Sequence, residues 1–166
     1  MKKFFLTEIC IFALLSFISV NLSAQELKPL SHWPIAGKLK GITIVVAETE
    51  ELQHQGFCNA SAQEFQNIAI WFPKIKKGTV FVNTNPGYGC VEKDIQVVFL
   101  DKNWVVIEIM FMEKKTGTAV APENTFSAIE GIPEIINKLG FKACRQSPIK
   151  IIKNNGKYSM IKTRER

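Results

Sequence analysis

A chain of 166 residues, 46% hydrophobic and 22% charged, is long enough to enclose one core and too apolar to stay disordered. Its net charge of +6 is dispersed into short basic groups, Lys74 to Lys77, Lys114-Lys115 and the tail Lys162 to Arg166. No basic helix or interleaved aromatic platform is present, so nucleic acid is excluded as an expected partner. No glycine-rich phosphate loop, nucleophile elbow or complete metal-ligand spacing calls for a cofactor or a metal.

Lys2 and Lys3, the apolar run from Ile9 to Val20, and Leu22-Ser23-Ala24 have the three-part pattern of a secretory signal. That run is shorter than the roughly 20 apolar residues of a spanning helix. Cleavage near Ala24 is therefore expected over an uncleaved tether, giving a mature chain that starts at Gln25, has no transmembrane segment and is exported to the periplasm or the extracellular space. Residues 1–24 read as the signal peptide, 25–40 as an extended N-terminal segment, 41–147 as one β domain, and 148–166 as a C-terminal hairpin with a basic tail.

Within the domain, the β-branched run from Ile42 to Val46 predicts a strand. Thr49 then caps a short helix opened by Glu50 and Glu51 and ended at Gly56. Ser61 and Glu64 form a second capping-box pattern. Ile68 to Phe72 and Thr79 to Val82 read as strands. Ile95 to Leu100 and Trp104 to Ile109 flank the turn Asp101-Lys102-Asn103 as a hairpin, and Phe126 to Ile129 adds another strand. Ile132, Ile135, Ile136 and Leu139 share helical spacing, with Pro133 in the first turn and Gly140 past the end. Ile149 to Ile152 and Tyr158 to Ile161, joined through Asn155-Gly156, close the chain as a hairpin. About eight short strands with two or three short helices predict a mainly β single domain, a barrel or a sandwich.

The ordered series Ile42 to Phe57, Asn67 to Pro73, Phe81 to Thr84, Asp94 to Asp101, Val105 to Met112, Phe126 to Glu130 and Leu139 to Lys142 resembles the bacterial family catalogued as domain of unknown function 192, over about residues 41 to 145. Its members are small, mostly β, often exported domains with no established reaction. The resemblance carries over Gly56, from the motif R-G-L-M; Asn83 and Thr84, from N-T; Asp94, from P-L-D-I; and Glu130, from A-L-E. The chain departs from the pattern at Gln55, where the family has arginine, at Cys58, where it has methionine, and at Val82, where it has lysine. If the family's polar cluster holds an anion, both charge-assisted donors are missing here. The stretch Asn85 to Cys90 lengthens the following loop, and its proline, glycines and Tyr88 make it a candidate rim facing a ligand.

The candidate surface is therefore Gln55, Asn83, Thr84, Tyr88, Asp94 and Glu130, on a binding module for a small ligand or an envelope component. The rival reading is a hydrolase of an envelope polymer with Asp94 and Glu130 as acid and base; a structural subunit is the third. Against a site stands the ordinary use of Asn and Asp near strand ends, which is to satisfy local backbone. His54 and Cys58 are four apart, but a glycine between them ends the helix that would align them. In an oxidising compartment Cys58, Cys90 and Cys144 permit one disulfide and one free thiol. Cys90 is expected in the bridge, with Cys58 the preferred partner and Cys144 next.

Overall fold

The computed structural model describes residues 27–163, so the expected signal peptide and its cleavage point lie outside the described residues, as do residues 164–166 of the basic tail. The described residues are mainly β, with twelve strands and three α-helices. Six strands form the principal sheet in the order β1 (Ile35–Leu39), β2 (Ile42–Val46), β3 (Ile68–Phe72), β10 (Ser127–Gly131), β7 (Ile95–Leu100) and β8 (Val106–Met112). β2 and β3 are parallel, with Val45 opposite Ile70; every other neighbouring pair is antiparallel. The parallel pair requires a crossover, which α1 (Glu50–Gln55) and α2 (Ala62–Asn67) supply. The sheet is open, with β1 and β8 at its edges, so the expected choice between barrel and sandwich resolves to sandwich-like layering.

Strand alternation sends the side chains into two cores. Val45, Ile70, Phe72, Val97, Phe99 and Ala128 face one side, under α1, α2 and a ribbon of β4 (Val80–Val82) paired with β9 (Thr118–Val120). Ile44, Trp71, Val98, Leu100 and Ile129 face the other, under α3 (Pro133–Leu139) and the hairpin β11 (Ile149–Asn154) and β12 (Lys157–Lys162). With both faces covered, all five residues of β3 and all five of β10 are buried.

The helix boundaries follow their caps. Thr49 Oγ1 accepts from Leu52 N at 3.3 Å to start α1. Gly56, at φ 49° and ψ −133°, donates its N–H to the Leu52 carbonyl and ends that helix in a conformation open to glycine. Ser61 and Glu64 cap α2 reciprocally, as their spacing predicts. α3 has Pro133 in its first turn and stops at Gly140.

Four strands exceed the eight expected: β1, β5 (Thr84–Asn85), β6 (Gly89–Cys90) and β9. The segment read as an extended lead-in instead contributes β1 to the principal sheet, after a 3-10 turn at Leu30–His32. Gly37 in β1 suits its neighbour, because a Cβ there would lie 2.9 Å from Met160 Cβ of β12. β8 begins later than expected because Trp104 is still in the turn at φ 65°. There Asp101 Oδ1 accepts from both Asn103 N and Val105 N at 2.8 Å.

Candidate functional site

Three of the residues matched through the resemblance converge on one short segment, the turn after β8. Asn83, 1% exposed, donates Nδ2 to Glu113 O at 2.6 Å and Met112 O at 3.4 Å. The Thr84 hydroxyl donates to Lys115 O, and Asp94 Oδ1 accepts from Lys114 N at 2.9 Å. Gly117 N–H donates to Glu113 O, and Asn83 N–H donates to Gly117 O. These side chains fasten a turn whose backbone groups lack a ladder partner, a structural use of short polar residues.

The inserted loop is also fastened. β5 and β6 form a small hairpin, with Asn85 opposite Gly89. Asn85 Nδ2 donates to His54 O at 2.9 Å, joining the hairpin to the end of α1. Tyr88 is buried, its ring edge-on to His54 at 6.2 Å.

The disulfide expectation is corrected: Cys58, Cys90 and Cys144 are free thiols. Each member of the favoured pair has a polar partner of its own. Cys58 Sγ donates to Gly89 O at 3.6 Å, and Cys90 Sγ to Glu92 Oε1 at 3.3 Å. Cys144 lies exposed in the turn that leads towards β11. Burial, and then the charges of Glu130 and Cys90, push the Cys58 thiol up to about 11, which makes it a core side chain rather than a nucleophile paired with His54.

Glu130 behaves differently from the other matched residues. On β10 it shares the face of Ala128, between Ile70 of β3 and Val97 of β7, and only 6% of it is exposed. Among the described residues nothing hydrogen-bonds or ion-pairs with its carboxyl. Burial pushes that group up from its ordinary 4.5 to about 8, so it is protonated at neutral pH. An isolated carboxyl in an apolar layer costs stability unless something else meets it.

What it faces is a cavity of about 170 Å³. α1 contributes Gln53, His54 and Gln55 to the wall, β4 contributes Val80 to Val82, and Asn85 enters from the hairpin. Gly56 closes over the carboxyl, since a Cβ there would stand 3.5 Å from Glu130 Oε2. Phe72 and Phe81 pack edge-on at 5.2 Å to form the apolar side. Val80 and Val82, 56% and 40% exposed, flank the mouth. Gln55 and Val82, the two departures from the family's basic positions, thus meet at the cavity with Gly56 and Glu130. Spacing could not show this, because the four come from α1, β4 and β10.

Asp94 lies elsewhere, in the wall of a second cavity of about 550 Å³ beside Pro133 and Lys138. A larger groove, about 720 Å³, runs between residues 27–31, β1 and α2. Its main buried polar group is already satisfied: Gln55 donates to Lys28 O at 2.7 Å and accepts from Lys28 N at 3.2 Å. The smaller cavity is therefore the better site, since of these three it is the one lined by a buried carboxyl without a hydrogen-bond partner. No cluster of three His, Cys, Asp or Glu side chains occurs among the described residues, and none of their helices is long and apolar enough to cross a membrane.

Fold and cavity together define a small, layered, mainly β domain with a buried carboxyl set against a cavity. No family model and no curated protein matches the chain. It is similar in fold to a crystal structure of a protein of unknown function from Novosphingobium aromaticivorans DSM 12444, at a TM-score of 0.54 and 15% identity over 72% of this chain and 89% of that one. It is also similar to a putative transcription regulator from Sinorhizobium meliloti 1021, at a TM-score of 0.51 and 12% identity over 69% and 86%. At these identities the likeness concerns the fold alone.

Proposed function

We propose that the protein is an exported module of the periplasm or extracellular space that binds a small ligand in the Glu130 cavity, and that it belongs with the family it resembles. The observation that carries the binding reading is the Glu130 carboxyl, buried, without a partner among the described residues and set against open space. A folded chain tolerates such a group where function uses it. The meeting of Gln55, Gly56, Val82 and Glu130 at the same place supports the resemblance, because separate family motifs would then share one site. Glu130 and Asp94 line different cavities, so the reading rests on Glu130 alone and assigns no bond cleavage.

Fragments of fewer than about ten non-hydrogen atoms, screened by amide chemical-shift mapping, test the location. Shifts should centre on Gly56, Phe81 and Glu130 and vanish in Val80→Trp, which plugs the mouth from an exposed position. Shifts centred on Leu30 and Asn67 in the large groove would overturn the assignment, as would the absence of any binding fragment.

A further inference from the structure

The Thr79 hydroxyl and the His54 ring are among the cavity's polar groups, but its fixed charge is one-sided. No Lys or Arg is among its lining residues, and Glu130 is its one carboxyl. The neutral groups beside it also present acceptors. Gln53 spends Nε2 on Ala47 O at 3.1 Å, which leaves its Oε1 free, and Asn85 spends Nδ2 on His54 O, which leaves its Oδ1 free. The orientation of each amide is set by the carbonyl it must donate to. The Glu130 carboxyl and the Gln53 and Asn85 amides therefore line the cavity together with the aromatic pair Phe72 and Phe81.

Resting on the cavity being the binding site, we infer that its ligand is a small organic cation, a primary ammonium on a short apolar body. An ammonium carries three donors and no acceptor, which suits the Glu130 carboxyl and the unused amide oxygens of Gln53 and Asn85. The apolar Phe72 and Phe81 and the exposed Val80 and Val82 accommodate the apolar carbons of such a ligand. Size agrees, since a cavity of about 150 Å³ holds a benzene-sized molecule and this one is about 170 Å³. An anionic ligand would meet Glu130 with no Lys or Arg in the lining to offset it.

The inference implies coupling to protons. Burial holds Glu130 protonated up to about pH 8, so below that pH a bound ammonium must expel the proton. The titratable neighbours are His54 at the end of α1 and Cys58 after it, whose thiol is coupled to Glu130. Strands β3, β4 and β7, which pack around Glu130, carry no ionisable side chain. Affinity should rise about tenfold per pH unit up to pH 8 and then level off until the amine itself loses its proton near pH 10.

The test is titration of the protein with n-butylammonium, 1-butanol and butyrate at pH 9 and pH 6, following the ¹³C-labelled Glu130 carboxyl and the backbone amides by NMR. The expected result is n-butylammonium at least tenfold tighter than 1-butanol at pH 9, no saturable butyrate binding, and loss of the ammonium preference in Glu130→Gln. Equal or tighter binding of the alcohol or of butyrate would overturn the cation inference and leave the cavity as the site. Failure of all three at both pH values would overturn the site and the inference together.

Discussion

Replacing Glu130 by Gln removes a buried acid while keeping its shape, and the effect on stability should depend on pH in a way no surface carboxylate can reproduce. In the wild type the folded chain holds the Glu130 proton up to about pH 8, whereas the unfolded chain releases it near its ordinary 4.5. The folded pKa is the raised one, so this group's stabilising contribution is complete below pH 4.5 and is lost as pH climbs to about 8. At about 1.36 kcal/mol per unit, that interval amounts to roughly 5 kcal/mol, of which about 3 is gone by pH 7. Urea unfolding followed through the buried Trp33, Trp71 and Trp104 at a series of pH values measures it. The variant should match the wild type near pH 4 and exceed it by a widening margin up to pH 8, after which the margin is constant. A margin that grows by less than about 1 kcal/mol between pH 4 and pH 9 would refute the claim that the carboxyl is desolvated.

Asn83→Ala leaves two carbonyls of the turn after β8 without their donor, so it should cost about 1–3 kcal/mol while ligand affinity at the cavity stays unchanged; a loss of affinity at unaltered stability would return Asn83 to the site. In timed iodoacetamide labelling at pH 8 with peptide mapping, the exposed Cys144 should react at least tenfold faster than the buried Cys58, and comparable rates would contradict the packing of Cys58 beneath Gly89. Mass measurement of protein recovered from the envelope or medium should find Gln25 as the first residue; a membrane-bound product retaining Met1 would overturn the proposed export.

Legibility varied with the range of the interaction that decides each feature. Thr49 with Gly56, Ser61 with Glu64, and Pro133 with Gly140 bound their helices through contacts within one or two turns, so a few adjacent residues suffice to read them. β2, β3 and β7 are β-branched runs whose limits coincide with their apolar residues. β1 escaped notice because its glycine and polar residues make no period; it is a strand through pairing with β2 and packing against Met160, partners that lie outside its own segment. β9 is three residues whose strand character comes from Val80 to Val82 across the ribbon.

The candidate residues divide along the same line. The motifs of the resemblance single out Asn83, Thr84, Asp94 and Glu130 but not what each does, because a hydrogen bond to a distant carbonyl leaves no trace in local composition. Asn83 reaches Glu113, and Asp94 reaches Lys114, only once β8 has turned back over them. The sequence by itself determined the helix ends, the main strands and a mainly β domain, since propensity, capping and alternation act over a few residues. The tertiary structure alone decided that β10 lies between β3 and β7, which encloses the Glu130 carboxyl, places Gln55 and Val82 beside it and opens a cavity against it. Burial is a property of what surrounds a residue, and here those surroundings come from strands and helices far apart in the chain.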